Sequence, residues 1–315
     1  MNLLIGIAGM FLVLFASIAH VSVAQVKVTQ IHYRTIKVRG LNIFYREAGL
    51  KDSPTVLLLH GFPSSSHMFR NLIPELSQHY RVIAPDLPGF GFSSAPDRTK
   101  FKYTFDNLAN IIDEFTKEVN LSRYAIYVFD YGAPVGFRLA VNNPEKIIAI
   151  ISQNGNAYEE GLSNGWVPIQ KYWNEPTEGN RNALKNLLTI ETTKWQYTHG
   201  VTDVSVIAPE SYLIDQFFLD RKDNTEIQLD LFGDYKSNVA MYGAFQEYFR
   251  IKKPPFLAVW GKNDPYFLPS GAEAFKKDIP GAQIKFYETG HFALETHANE
   301  IASDIISFLS KVALR

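Results

Sequence analysis

The sequence predicts an α/β fold: a mostly parallel sheet with helices on both faces, interrupted by a helical insertion. Three observations carry this. Short, continuously apolar runs recur along the chain, as strands buried on both faces require. Helix-length segments alternate with them, which implies crossover connections between parallel strands. The alternation stops near Asn154 and resumes at Phe256.

The elements follow in order. An apolar run from Leu3 to Ala19 opens the chain, and Ser22-Val23-Ala24 then places small residues at signal-peptidase spacing before Gln25. Residues 1–24 are therefore expected to be a signal peptide, leaving a secreted or periplasmic protein. A retained membrane anchor is the alternative, since the run has no Lys or Arg ahead of it and approaches spanning length. Ile31–Val38 and Leu41–Arg46 alternate like a hairpin about Gly40. Thr55–Leu59, Tyr80–Ala84, Ala125–Phe129 and Ile147–Ile151 are the buried strands, with helices over Thr104–Val119 and Ala133–Asn142 between them. From 155 to about 245 the chain is rich in Trp, Tyr, Asn and Glu and reads as mainly helical. Strands return at Phe256–Trp260 and Ile284–Tyr287, and an amphipathic helix closes the chain from about Asn299 to Val312. The layout is a core of 25–155 and 245–315 with a helical cap, 156–244, inserted after the sixth strand.

Composition narrows the function. With 315 residues, 46% of them hydrophobic, the chain can bury a large core. A net charge of −1 offers no electrostatic footprint for nucleic acid. Membrane association is expected only if the N-terminal segment is retained. The absence of cysteine excludes disulfides, thiolate metal sites and cysteine nucleophiles.

Chemistry gathers at the carboxyl ends of the predicted strands, where open α/β sheets place their sites. Tyr124-Ala-Ile-Tyr-Val-Phe-Asp130-Tyr-Gly-Ala-Pro-Val-Gly136 reads as strand, sharp turn and helix start, the setting of a nucleophile elbow. The raised residue is Asp rather than Ser. A carboxylate needs no base to activate it and can attack a saturated carbon, forming an alkyl ester. Asp264 follows a strand in Gly261-Lys-Asn-Asp-Pro265, and His291 follows the next in Gly290-His-Phe292. Each has a plainer reading alone: Asp130 as a helix N-cap, Asp264 as a turn former, His291 as a structural histidine. His60, in His60-Gly-Phe-Pro63, reads as structural in either case. The order nucleophile, acid, histidine, each after a buried strand, decides for catalysis.

These motifs resemble α/β-hydrolases of the epoxide hydrolase and haloalkane dehalogenase group, over essentially everything from Gln25 onward. Asp130-Tyr-Gly-Ala-Pro134 is similar to the Asp-Trp-Gly-Ala-Pro elbow of that group, with Tyr131 in place of Trp. His60-Gly-Phe-Pro63 and Asp86-Leu-Pro-Gly-Phe-Gly-Phe-Ser93 resemble its oxyanion loop and the motif after the following strand. The resemblance implies Asp130 as nucleophile, His291 as the base that activates water, and Asp264 as its orienting acid. It implies an oxyanion hole from the backbone N–H groups of Phe62 and Tyr131. Gln170-Lys-Tyr172 and Asn238-Val-Ala-Met-Tyr242 resemble the segments bearing the two tyrosines that protonate an epoxide oxygen.

The expected reaction is hydrolysis of a small, apolar epoxide to a diol, with substrate and water as the only partners and no cofactor or metal. Haloalkane dehalogenation is the alternative. Tyr131 and Phe62 stand where dehalogenases carry Trp and often Asn, which weakens that alternative. Val128 and Phe129 stand where epoxide hydrolases usually carry Gly and His, which favours it, and Trp166, Trp173 or Trp195 are candidate halide donors. A non-catalytic binding protein on the same fold is the second alternative, weakened by the intact Asp130, Asp264 and His291.

Overall fold

The computed structural model describes residues 30–312, so the expected signal segment lies outside the described residues. One sheet of eight strands organises the chain. Its first six strands are β1 (His32–Val38), β2 (Leu41–Ala48), β3 (Thr55–Leu59), β4 (Arg81–Pro85), β5 (Tyr124–Phe129) and β6 (Ile147–Gln153), and β7 (Phe256–Gly261) and β8 (Gln283–Tyr287) complete it. The spatial order is β1-β2-β4-β3-β5-β6-β7-β8. β1 and β2 form the antiparallel hairpin, β2 pairs antiparallel with β4, and every later pairing is parallel.

The apolar runs have the physical meaning the sequence suggested. In β5, Tyr124, Ile126 and Val128 enter one core while Ala125, Tyr127 and Phe129 enter the other. Both faces are covered, so no position along the strand is free to be polar. Helices α1 (Leu72–Leu76), α2 (Phe105–Glu118) and α3 (Gly132–Asn142) come between the early strands. α2 is fixed at its start by Thr104, whose side chain accepts the Asn107 N–H.

After β6 the chain leaves the sheet. It forms α4 (Val167–Asn174), α5 (Glu178–Ala183), α6 (Ile190–Thr198), α7 (Pro209–Leu219) and α8 (Asn224–Ala240) before α9 (Tyr242–Lys252). α9 packs back onto α3 and, beyond β7, onto α10 (Pro269–Asp278). α11 (Leu294–Leu309) ends the fold, starting earlier than its apolar periodicity suggested because its first turn runs into a kink at His297. Among the described residues, no helix is long and apolar enough to cross a membrane.

Register places the site. Leu59 lies opposite Val128, Phe129 opposite Gln153, Gln153 opposite Val259 and Gly261 opposite Tyr287. The residues just beyond these strand ends therefore line one edge of the sheet: His60, Asp130, Asn154, Asp264 and His291.

Candidate active site

Asp130 occupies the turn from β5 into α3 with φ at +46°. Asp tolerates this left-handed conformation better than most residues, and the turn lifts its side chain off the strand. The turn needs close backbone approach behind it. A Cβ on Gly132 would lie 2.2 Å from the Leu59 carbonyl oxygen, so only glycine lets α3 start there.

The carboxylate is buried, and backbone amides hold it. Phe62 N–H donates to Asp130 Oδ1 at 2.6 Å, and Tyr131 N–H donates to the same carboxylate. Both amides expected to form the oxyanion hole thus converge on the nucleophile's own carboxylate. The loop bearing Phe62 is fixed by His60, whose Nε2 accepts the Leu87 N–H at 2.9 Å while Nδ1 lies 3.0 Å from the Gly61 carbonyl. Asp86 accepts from Ser66 N–H and Phe92 N–H, tying the two loops together.

Asp264 Oδ2 lies 2.7 Å from His291 Nδ1. Its Oδ1 accepts from the N–H groups of Tyr266 and Phe267, at 2.7 and 3.1 Å. Asn154, which sequence reasoning missed, donates from Nδ2 to Asp264 Oδ2 at 2.6 Å and accepts the Gly261 N–H on Oδ1. A signal existed: Asn154-Gly155 directly follows a buried strand, and Asn154 takes the left-handed conformation Asn favours. Gln153 donates to the His291 carbonyl at 3.2 Å and so fixes the loop itself.

His291 Nε2 stands 4.0 Å from Asp130 Oδ2, beyond hydrogen-bond range. The imidazole is thus held by Asp264 and stands beside Asp130 without being bonded to it. Burial pushes the Asp130 carboxyl up to about 6, against the opposing pull of His291 and the two amides. Burial also disfavours the imidazolium, yet Asp264 by charge and hydrogen bond, with Asp130 behind it, raises the His291 pKa.

Asp130, Tyr131, Phe62, His291 and Tyr266 from the core meet Trp166, Ile169, Leu187, Gln196 and Phe232 around one cavity. Its volume is about 30 Å³, room for roughly two waters at about 10–15 Å³ each. The space suits a small apolar group. The Gly61 Cα faces the nucleophile so closely that an added Cβ would lie 2.4 Å from both Asp130 Cβ and Oδ1. Gly61→Ala is therefore expected to displace the carboxylate and cut turnover about 100-fold, with a stability loss of about 1–3 kcal/mol. Steady-state kinetics beside urea unfolding checks this, and unchanged turnover would contradict the placement of Asp130.

The structure does not bring Tyr172 and Tyr242 to this cavity. Tyr172, on α4, faces α5 and α8: its hydroxyl accepts from Arg181 at 3.2 Å and its ring lies against Gly233. Tyr242 starts α9, and its buried hydroxyl accepts from Asn156 at 3.2 Å. Neither residue lines the cavity around Asp130, which corrects the expectation that both hydroxyls reach one substrate oxygen there. The tryptophan donors fare similarly. Trp166 lines the cavity, but its indole N–H donates to the Tyr266 carbonyl at 3.1 Å, and that of Trp173 donates to the Phe232 carbonyl at 2.7 Å. Trp195 is 41% exposed and packs beside His199 with the two rings tilted.

Three polar side chains at the cavity escaped sequence reasoning as donors. The Tyr131 hydroxyl and Gln196 Nε2 are buried without a hydrogen-bond partner among the described residues. Tyr266 lines the cavity, and burial, with the charges of Asp264 and Asp130 behind it, pushes its phenol up. Among the described residues, no group of three or more His, Asp and Glu side chains is arranged to hold a metal ion.

Comparison with known proteins agrees with this architecture. The family model described as alpha/beta hydrolase fold matches residues 54–298. An uncharacterized hydrolase of Saccharomyces cerevisiae is 45% identical over 277 residues, 86% of this chain and 94% of its own. A haloalkane dehalogenase of Psychrobacter cryohalolentis is 26% identical, covering 85% of this chain and 88% of its own. Among solved structures, a loop variant of a haloalkane dehalogenase from Bradyrhizobium elkanii superposes with a TM-score of 0.74 at 22% identity, over 89% of this chain and 97% of its own. That last likeness shows the fold alone. The chain belongs to the α/β-hydrolase fold family, as a hydrolase with haloalkane dehalogenases among its relatives.

Proposed function

We propose that this α/β-hydrolase cleaves a small apolar substrate at a saturated carbon, through an alkyl ester on Asp130, and that haloalkanes are its best-supported substrates. The observation that carries the reading is the nucleophile itself: a carboxylate on the elbow, held on two backbone amides, with an Asp264-oriented histidine beside it.

The steps follow from the geometry. Asp130 Oδ2 attacks the carbon while the carbon–halogen bond breaks and halide leaves. Oδ1 remains on the Phe62 amide. His291 Nε2 then takes a proton from water, and the hydroxide attacks the Asp130 carbonyl carbon. The negative charge that develops on Oδ1 meets the Phe62 amide already in place, so no reorganisation is needed. Collapse breaks the ester bond, and the alkoxide takes the proton from His291. Asp130 is left as the acid and releases its proton to restore the carboxylate, so the products are an alcohol, halide and a proton. In serine hydrolases the histidine bonds the nucleophile in order to deprotonate it. Here the 4.0 Å gap fits a histidine needed only for the second step. Alkylation also removes one of the two carboxylates that raise the His291 pKa, which favours the neutral base where it is needed.

The substrate preference rests on the donors. Tyr172 and Tyr242 are outside the cavity lining, which weakens the support for epoxide opening that rested on them. A second reading, epoxide hydrolysis, keeps one observation in its favour: Tyr131 and Tyr266 put phenols at the cavity, and a phenol can protonate a departing alkoxide. Nothing at the site favours a non-catalytic ligand cage.

A single turnover in ¹⁸O water tests the common mechanism. The first product is expected to carry unlabelled oxygen, with the label entering the Asp130 carboxylate. Label in that first product would mean that water attacks the substrate directly, and the role of Asp130 would fall.

A further inference from the structure

We propose that Gln196 grips the departing atom of the substrate, and that this cap amide selects leaving groups that depart as stable anions, halide above all. The inference rests on the aspartyl-ester reading and adds a residue that no elbow motif contains.

Gln196 is 2% exposed, lines the cavity with Asp130 and His291, and its Nε2 has no partner among the described residues. A buried donor left unpaired costs stability, so such a group calls for a ligand. Its neighbour across the cap shows the contrast. Gln216 on α7 donates from Nε2 to the Leu188 carbonyl at 3.1 Å and to Asp220 at 2.7 Å.

The amide is also held still. Thr193, Gln196 and Tyr197 form the buried face of α6, the i, i+3 and i+4 positions of one helical stripe. Thr193 donates to Gln216 at 2.8 Å. The Tyr197 hydroxyl donates to Asp215 at 2.5 Å, and its ring stacks flat on Phe292 with centroids 3.8 Å apart. Phe292 adjoins His291 in sequence, so the helix carrying Gln196 is referenced to the loop carrying the histidine. A donor fixed in this way is preorganised.

The chemistry of an amide narrows the ligand. Its N–H stabilises an anion by hydrogen bonding and does not surrender its proton. A departing alkoxide needs that proton, whereas a departing halide needs only donors. Around Gln196, the cavity wall is otherwise mostly apolar, from Phe62, Ile169, Leu187 and Phe232. In such surroundings one N–H counts for more than it would in water. The indole N–H groups of Trp166 and Trp173 are already committed to carbonyls, which leaves the amide as the free N–H donor from these cap side chains.

The test uses the full chain and Gln196→Met, which keeps length and volume but removes the donor. Alkylation of Asp130 is followed in a single turnover with chlorobutane, iodobutane and epoxybutane. Bromide binding is read by quenching of tryptophan fluorescence, and thermal unfolding is recorded in parallel. The expected loss with chlorobutane is about 10²–10³-fold, the size seen when one preorganised donor is removed. Iodobutane, with its better leaving group, should lose less, and epoxybutane least. Bromide quenching should vanish while the unfolding midpoint holds or rises. Chlorobutane alkylation within about threefold of wild type, or bromide binding that survives the substitution, would overturn the role. A destabilised variant that loses all three substrates equally would also overturn it, as mere structural damage. If the wild type forms no adduct on Asp130 at all, the ester mechanism fails by itself. Bromide binding then still decides whether Gln196 holds an anion.

Discussion

In the His291→Gln protein, Asp130 is expected to accumulate as a stable alkyl ester. The first step does not use the imidazole, since Nε2 lies 4.0 Å from Asp130 Oδ2 and the carboxylate is held by backbone amides instead. The second step does use it, to deprotonate water. Loss of such a base slows its step by about 10²–10⁴-fold, while gain or loss of an ester changes protein mass by a readily measured amount. His291 also lowers the Asp130 pKa, so its removal lets that carboxyl rise above about 6. The experiment therefore belongs at pH 8 or above, where Asp130 stays ionised. Intact-mass and peptide measurements then identify the substrate class as well. A haloalkane adds its mass less HX, and an epoxide adds its whole mass. Sustained turnover with an unmodified Asp130 peptide, or an adduct on another residue, would remove Asp130 from the mechanism.

The sequence was most legible where structure is local. Thr55–Leu59, Ala125–Phe129 and Phe256–Trp260 read as strands because burial on both faces leaves only apolar residues there. Each strand end then exposes one residue at the same edge, so Asp130, Asp264 and His291 could be placed together from order alone. The loops that support them were legible for the same reason: His60 bonds backbone within its own loop and the next. The cap was legible only as helical. Which face of a cap helix meets the sheet depends on partners far away in sequence, and no local pattern records it. Tyr172 is drawn to Arg181, itself fixed by Glu226 and Asp230. Tyr242 belongs to a helix that packs on α3 and α10. Gln196 sits in a helix with almost no amphipathic pattern, because Thr193 and Gln196 are polar on its buried side.

Asp130→Asn should abolish turnover and at the same time make the protein more stable at neutral pH. An amide oxygen does not displace halide, so the chemical loss is complete. The stability gain follows from burial. The folded-state pKa of Asp130 is raised from 3.8 to about 6, so the folded protein holds this proton more tightly than the unfolded chain does. A carboxyl perturbed in that direction costs nothing well below pH 3.8, where it is protonated in both states. Its cost grows as pH rises through the window from 3.8 to about 6 and is fully present above it. A rise from 3.8 to about 6 corresponds to roughly 3 kcal/mol. Asn removes the charge, keeps the shape, and accepts the left-handed backbone at this position about as readily as Asp. Urea unfolding of both proteins should thus converge as pH falls below 3.8 and separate towards pH 7.5, with the variant higher. This is the sign expected when a catalytic group is held at the expense of the fold. A variant that is less stable than wild type at pH 7.5 would show that the amides of Phe62 and Tyr131 and the charge of His291 outweigh burial at this carboxylate.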